Sequence, residues 1–193
     1  MNRLINKDEC WLKPEEINKE IAKGAVFIYP TDTIYGLGCD ATNSKAVSKI
    51  RELKERPKQA FSIIAPSKDW IVQNCELGKE AKEWLEKLPG PYTLILKLKN
   101  KKAISKEVNE GLDTIGVRIP KHWIAGIIRT YGKPIVTTSA NKVGKMFMTN
   151  LDDLDADIKA KVDFIIYEDE KKGNPSTLVN LSGEEATITK RTK

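Results

Sequence analysis

The apolar runs of this chain are short, and they constrain its fold more than any other feature of the sequence. The most strand-like runs cover Ala25–Tyr29, Thr93–Leu98, Ile135–Thr138 and Phe164–Tyr167. None approaches the roughly 20 apolar residues that a membrane-spanning helix needs. The chain has 193 residues, of which 40% are hydrophobic and 31% charged, a composition typical of a folded globule. We therefore predict one domain covering residues 1–193.

Helical and strand-like segments alternate irregularly. The pattern predicts helices over Pro14–Lys23, from Asn43 or Ser44 to Lys54, and over Lys68–Asn74, Lys79–Leu88, His122–Tyr131 and Leu151–Ala160. It predicts further strands over Phe61–Ala65, Thr114–Ile119, Pro134–Thr138, Val162–Tyr167, Ser176–Asn180 and Ala186–Lys190. Because several successive strands have no helix between them, we predict an α/β domain with a mixed sheet rather than strict alternation.

The net charge and the cysteine pattern indicate where the protein is expected to be located and which partners it is expected to bind. Cys10, Cys39 and Cys75 are widely spaced, which predicts free thiols rather than a disulfide framework or a zinc site. Met1–Cys10 has no apolar run behind its positive charges, so we expect a cytoplasmic protein that makes no membrane contact. The net charge of +6 suits an anionic partner such as a nucleotide or RNA, although a lysine-rich solubilising surface explains the same charge.

Two motifs that suggest nucleotide folds fail on closer reading. Gly36–Ala41 matches a dinucleotide fingerprint, but Pro30–Tyr35 separates its glycines from the preceding strand. Gly126–Pro134 resembles a P-loop, but it is one residue too long and has proline where a magnesium-binding hydroxyl is required. His122 is the only histidine, which excludes histidine zinc clusters and paired imidazole catalysis. An enzyme built on this chain would work mainly by binding and charge stabilisation.

Polar clusters follow several predicted strands, and these are the candidate site. Pro30–Gly38 supplies hydroxyls, together with glycines that would allow a ligand close to the backbone, and Thr137–Asn141 ends another strand. Arg118 interrupts an otherwise apolar strand, where it would bind an anion or form an internal salt bridge. Lys54 and Arg56 close a helix, where cations also act simply as caps. Polar strand ends are costly unless they face a cleft or one another.

Six of these segments, taken in order, resemble one family. The segments are Pro30–Gly38, Lys54–Pro57, Pro89–Thr93, Thr114–Pro120, Thr138–Asn141 and Asn174–Thr177. Together they are similar to the YrdC/TsaC family of threonylcarbamoyl-AMP synthases, from about residue 13 to residue 191. The resemblance implies a single YrdC-like domain with a twisted mixed sheet, flanking helices and a deep basic cleft.

The resemblance also implies an activity. Family members form threonylcarbamoyl-AMP and pyrophosphate from L-threonine, bicarbonate and ATP with Mg²⁺, for t6A37 modification of tRNA. They are nucleotidyltransferases that pass the product to a separate threonylcarbamoyl transferase.

Site residues are implied position by position. Lys54 and Arg56 would be catalytic, and no protein side chain would bind metal. The implied ATP contacts are Arg56, Thr114, Ser139, Asn141 and Arg191, and the implied threonine contacts are Thr33, Arg118 and Thr138. The sequence departs from the family where the usual glycine after Arg191 is missing, and where the Phe61–Ala65 strand lacks the histidine of some members.

Two alternatives remain open. A paralogous carbamoyl-adenylate enzyme would share these motifs. An RNA-binding module of translation would use the same basic cleft, and contact with tRNA or double-stranded RNA is compatible with the charge. Against the RNA-binding module, aromatic residues are few and are not interleaved with basic ones along the sequence.

Overall fold

The structure is a computed structural model that describes residues 3–56, 58–142 and 144–191. Its helices are α1 (Lys7–Leu12), α2 (Pro14–Ala22), α3 (Ser44–Lys54), α4 (Lys68–Asn74), α5 (Lys79–Glu86), α6 (Lys106–Asn109), α7 (Ile124–Tyr131) and α8 (Ala156–Lys161). Its strands are β1 (Arg3–Ile5), β2 (Phe27–Tyr29), β3 (Gly36–Gly38), β4 (Ser62–Ile64), β5 (Tyr92–Lys97), β6 (Thr114–Arg118), β7 (Ile135–Ser139), β8 (Phe164–Ile166), β9 (Thr177–Asn180) and β10 (Thr187–Thr189).

The strands form one mixed sheet, as the sequence predicts. Its order across the described residues is β1-β8-β2-β3-β7-β4-β6-β5-β9-β10. The parallel pairs are β1 with β8, β8 with β2, β4 with β6 and β5 with β9, and the remaining neighbours are antiparallel. The centre of the sheet therefore brings β7, β4 and β6 side by side, although they come from distant parts of the chain.

Helices cover both faces of this sheet. Alternate residues of β2 point to opposite faces, as the pleat requires. Ile28 packs in the cluster that contains Ile50 of α3, whereas Phe27 packs in a second cluster with Ile17 of α2 and Ile127 of α7. Burial of these apolar residues on the two faces is what holds the sheet between its helical layers.

The ends of the helices follow local sequence signals. The Asn43 side chain accepts a hydrogen bond from the backbone of Ala46 and so caps α3, and Pro14 lies in the first turn of α2. Glu55 ends α3 in the left-handed conformation, at φ 52°, so that the chain turns immediately after Lys54. No helix in the described ranges is long and apolar enough to cross a bilayer.

Several elements differ from the sequence prediction, and α6 was not predicted at all. The glycines of Gly36–Gly38 are expected to allow a ligand close to the backbone; the segment forms β3, between β2 and β7, and Gly36 lines the cavity described below. Its glycines make room for the buried Tyr29 ring, because a Cβ on Gly36 would lie 2.9 Å, and one on Gly38 2.8 Å, from ring atoms. The sequence alone shows that Gly36 and Gly38 are small, but it does not show that the Tyr29 ring packs against them.

The other differences concern the start of α8 and two elements near the N-terminus. The helix expected over Leu151–Ala160 begins only at Ala156, because Asp155 caps it by accepting hydrogen bonds from the backbones of Asp157 and Ile158. Near the N-terminus, β1 and α1 were not predicted. A capping box formed by Asn6 and Glu9 starts α1, and this is the local signal that could have revealed it.

We predict that Gly38→Ala destabilises the fold by about 2 to 3 kcal/mol, because overpacking at a rigid site costs this much. The new Cβ would lie 2.3 Å from the carbonyl oxygen of Val136, which belongs to backbone and cannot rotate away. Urea unfolding followed by circular dichroism measures the change.

Gly78→Ala is the matched control, since a Cβ there meets nothing within 4 Å. It should change the free energy of unfolding by less than about 1 kcal/mol. Equal stability of the two variants would contradict the packing of Tyr29 against β3.

Candidate active site

A cavity of about 150 Å³ lies over the centre of the sheet, and three arginines line it. We call it the arginine cavity. The strand register places Ser62 of β4 beside both Gly116 of β6 and Thr137 of β7. Hydroxyl groups and guanidinium groups dominate its polar lining, and none of the described residues contributes a carboxylate to it. The lining residues discussed below are Arg56, Arg118, Arg191, Ser139, Thr138 and Ser176.

Gly116 makes room for the side chain of Ser62, which lines the cavity. A Cβ at this position would lie 2.4 Å from Ser62 Oγ. Arg118 follows two residues later on β6 and therefore extends from the same face of the sheet. The missing side chain at Gly116 thus lets the Ser62 hydroxyl pack close to the β6 backbone.

Arg118 is buried but only partly paired. Only 5% of the residue is exposed. Its Nη2 donates to Asp32 Oδ1 at 2.5 Å and its Nη1 donates to Thr33 Oγ1 at 3.2 Å, while its Nε–H is buried without an acceptor among the described residues. Burial lowers the pKa of Arg118, and the charge of Asp32 opposes that shift. Both sequence interpretations of this arginine are therefore compatible: it forms an internal salt bridge and keeps a free donor.

Arg56 and Arg191 approach the same cavity. The buried Nε–H of Arg56 also finds no acceptor within the described part of the chain. Arg191 donates from Nε to the carbonyl oxygen of Ser176 and from Nη2 to its hydroxyl, each at 2.8 Å. Burial lowers the pKa of Arg191, and the nearby charges of Arg118 and Arg56 lower it further. Arg191 therefore lies near enough to Arg118 and Arg56 for their like charges to act on it.

These contacts leave the cavity with uncompensated positive charge. Among the three arginines, only Arg118 has a carboxylate partner in the described ranges, namely Asp32. An unpaired buried donor costs about 1 to 3 kcal/mol, and more when the group is charged. An anionic ligand that accepts from Arg56 and Arg118 would recover this free energy.

Lys54, by contrast, lies behind the cavity wall. Its ammonium group donates to the carbonyl oxygens of Ser139 and Asn141 at 2.6 and 2.5 Å, and to Asn141 Oδ1 at 3.1 Å. The residue is 1% exposed, and burial lowers its pKa to about 7, with a further contribution from Arg56. Three donors therefore meet three acceptors, and Lys54 fixes the backbone that follows β7.

The segment after β7 is held further by its own side chains. Ser139 Oγ donates to Asn141 Oδ1 at 2.6 Å, and Asn141 Nδ2 donates to the carbonyl oxygen of Lys145 at 2.6 Å. Ser139 lines the cavity, whereas Asn141 lies behind it with Lys54. The four residues of the predicted tetrad are thus close together, but only Arg56 and Ser139 face the cavity.

The remaining predicted contacts are divided in the same way. Thr138 lines the cavity. Thr33 is buried beside Arg118, where its hydroxyl also contacts Thr31 Oγ1 at 3.0 Å. Thr114 begins β6, four residues before Arg118 and so roughly 13 Å along the strand, outside the lining. The ATP contact of Thr114 stays a prediction, as do the roles of the other residues and the depth of the cleft.

Sequence reasoning missed two residues of the site. Asp32 holds Arg118 through one oxygen and accepts from the backbone of Lys121 through the other, at 2.9 Å. Ser176 binds Arg191 and also contacts Thr93 Oγ1 at 2.7 Å. Both belong to segments that carry the family resemblance, but neither segment indicates which distant arginine its side chain contacts.

Comparison with known proteins agrees with this architecture. The Sua5/YciO/YrdC family model, described as telomere recombination, matches residues 19–192. A protein of Methanocaldococcus jannaschii that carries the provisional name threonylcarbamoyl-AMP synthase is 36% identical over 183 residues, which cover 93% of this chain and 86% of that protein.

Solved structures show the same fold. P. abyssi Sua5 in complex with L-threonine superposes with a TM-score of 0.85 at 30% identity, covering 97% of this chain and 56% of that one. This chain therefore spans just over half of that protein. E. coli YciO superposes with a TM-score of 0.86 at 22% identity, covering 100% of this chain and 96% of that one, a likeness that concerns the fold alone.

We predict that Lys54→Met lowers the free energy of unfolding by about 3 kcal/mol at neutral pH, because three buried carbonyl oxygens lose their donor. The loss should grow with pH. The folded pKa of Lys54 is about 7, below the unfolded value of about 10.4, so the unfolded chain binds more protons between these values. The stability of the parent protein should therefore rise across this window by up to about 1.4 kcal/mol per pH unit relative to Lys54→Met.

Urea unfolding at several pH values between 6 and 10 measures this difference. Lys45→Met is the control, because Lys45 lies exposed on the same helix. It should run parallel to the parent protein within about 0.5 kcal/mol. If Lys54→Met matched this control at every pH, Lys54 would not hold the segment after β7.

Proposed function

The chain belongs to the Sua5/YciO/YrdC family, and on that premise we propose that it makes threonylcarbamoyl-AMP and pyrophosphate from L-threonine, bicarbonate and ATP. The observation that carries the proposal is the pair of buried Nε–H donors on Arg56 and Arg118, which have no acceptor in the described parts of the chain. Each reactant carries an anionic group: the carboxylate of threonine, bicarbonate itself and the phosphates of ATP. The cavity supplies charge for all three.

The reaction needs no nucleophile from the protein. The amine of threonine attacks bicarbonate, and loss of water leaves a carbamate. A carbamate oxygen then attacks the α-phosphorus of ATP. The bond from the α-phosphorus to the oxygen that bridges the α- and β-phosphates breaks, and pyrophosphate leaves with that oxygen and the electron pair. The task of the protein is to bring three anions together and to stabilise the charge that develops at phosphorus.

The geometry suggests a division of tasks. Arg118, oriented by Asp32 and Thr33, would bind the threonine carboxylate through its free Nε–H, with Thr138 nearby. Arg56 would face the α-phosphate and the carbamate, since it lines the same cavity and its Nε–H has no acceptor in the described parts of the chain. P. abyssi Sua5, whose fold this chain shares, binds L-threonine, the ligand proposed here for Arg118.

Two further groups would contact ATP directly, and two would act by holding the segment that contains Ser139. Arg191 and the Ser139 hydroxyl would contact its phosphates from the cavity wall. Lys54 and Asn141 would act as positioning residues, because their polar atoms hold the Ser139 segment and neither side chain lines the cavity. This changes the task expected of Lys54 from charge stabilisation at phosphorus to fixing the group that provides it.

ATP would enter as its magnesium complex. Side chains of the described residues form no group of three metal-binding acids, histidines or cysteines, and Asp32 is already bound to Arg118. The ion would therefore remain on the phosphate oxygens that it prefers. The protein would be a nucleotidyltransferase of the cytoplasm, and its product would pass to a separate transferase that modifies tRNA.

We predict that purified protein releases pyrophosphate only when ATP, Mg²⁺, L-threonine and bicarbonate are all present. Arg56→Ala should lower this rate at least 100-fold, because it removes a donor from the developing charge. Its thermal unfolding should stay close to that of the parent protein. A coupled pyrophosphate assay measures the rate.

Lys58→Ala is the matched control, since it removes an exposed cation two residues away and should keep the parent rate. Turnover without threonine would indicate a different carbamoyl chemistry. Near-normal turnover by Arg56→Ala would refute the role given to that arginine.

A further inference from the structure

A second cavity, of about 540 Å³, lies outside the arginine cavity and shares no lining residue with it. Two tryptophans and three cations line it. We call it the tryptophan groove and define it by Trp11, Lys68, Lys121, Trp123 and Arg129. Nothing in the proposed reaction uses these residues.

The two tryptophans come from distant segments and form an angled pair. Trp11 lies in the last turn of α1 and Trp123 precedes α7, with ring centroids 6.5 Å apart and planes inclined at 51°. The ring of Trp11 lies close to Gly126, where a Cβ would approach it to 2.7 Å. Trp11 is nevertheless 47% exposed, so much of its surface is open to solvent. A fold that buries most of its apolar side chains keeps this ring available.

A hydrogen bond to Glu168 fixes the orientation of Trp123. Its Nε1 donates to Glu168 Oε2 at 2.6 Å. His122 contacts the other oxygen of Glu168 at 2.9 Å, and Lys171 pairs with that same oxygen. Glu168 is therefore neutralised on the inner side, and its charge does not oppose the cations of the groove.

The cations of the groove are available for an anion. Lys121 and Arg129 are exposed, and neither forms a salt bridge within the described ranges. Lys68 pairs with Glu86 at 3.0 Å at the surface, where such pairs are worth little and exchange readily. Among the described lining residues there is no carboxylate. The groove thus combines exposed aromatic surface with positive charge.

We propose that the tryptophan groove binds a single-stranded polynucleotide, with a base stacked on Trp11 and phosphates beside Lys121, Arg129 and Lys68. Aromatic rings within a positively charged groove are how proteins bind single strands without sequence preference. An acidic peptide would satisfy the cations but leave the exposed ring without a planar partner. A duplex would keep its bases stacked internally and offer only phosphates.

The fold also removes the sequence argument against such a site. Aromatic and basic residues are not interleaved along the chain, yet α1, the start of α4 and the start of α7 bring them together. The groove adjoins the reaction site through one contact, since the backbone of Lys121 donates to Asp32, the partner of Arg118. A strand in the groove would lie next to the proposed adenylate site without entering it.

The test uses a fluorescein-labelled 12-mer of oligouridine and measures binding by fluorescence anisotropy from about 0.05 to 0.3 M KCl. Trp11→Ala should weaken binding about tenfold or more, because stacking of a base on an aromatic ring is lost. Lys121→Ala combined with Arg129→Ala should reduce the slope of log K against log salt by about 1.4, since each phosphate contact contributes about 0.7 for single strands. All these variants should release pyrophosphate at the parent rate.

Lys45→Ala combined with Lys106→Ala is the control, because it removes two exposed charges that line neither cavity. This control should bind the oligonucleotide like the parent protein. If Trp11→Ala fails to fold, the Lys121 and Arg129 pair carries the test, because both side chains are exposed.

Three results would overturn the proposal. The groove variants could bind as tightly and with the same salt slope as the control. A 12-base-pair RNA duplex could bind as tightly as the single strand. An acidic peptide containing one tryptophan could displace the oligonucleotide at equal concentration, which would identify a protein partner instead. None of these results bears on pyrophosphate release, so the proposed reaction is tested separately.

Discussion

Arg118 is a charged group in an almost fully buried position, and the candidate site is arranged around that constraint. A buried charge is tolerated only when it is paired and hydrogen-bonded. Asp32 and Thr33 provide this pairing from the segment between β2 and β3, but they leave the Nε–H of Arg118 free. Asp32 and Thr33 thus stabilise the buried charge of Arg118 without using its Nε–H, and this donor remains for an anion.

The other cations of the site extend this arrangement. Arg56 contributes a second free donor, and Arg191 adds charge that no carboxylate in the described part of the chain neutralises. Lys54 lies behind the cavity wall and donates to the backbone oxygens of Ser139, at the end of β7, and Asn141, and to the side-chain oxygen of Asn141. Charge is therefore used in two ways: guanidinium groups face the cavity, and the buried ammonium group fixes its wall.

The sequence predicts the mixed sheet and the family well but predicts contacts poorly. Helix caps and apolar periodicity are local, which is why α3 and α4 were predicted to within a residue. A motif shows that Lys54 ends a helix, but what its ammonium binds depends on residues 85 and 87 positions away. For the same reason Gly36 and Gly38 did not reveal the buried Tyr29 ring that packs against them, although Gly36 also lines the cavity. Trp11 and Trp123 are likewise adjacent only in the folded chain.

In the proposed reaction, Arg56 and Arg118 receive the anionic reactants through their free Nε–H donors. NMR of the Nε–Hε groups in arginine-labelled protein tests it directly, with an ATP analogue whose α,β-methylene bridge prevents release of pyrophosphate. L-threonine should shift the Arg118 resonance and the analogue that of Arg56, and both protons should exchange more slowly with water. Binding of both ligands with the two resonances unmoved would contradict the account.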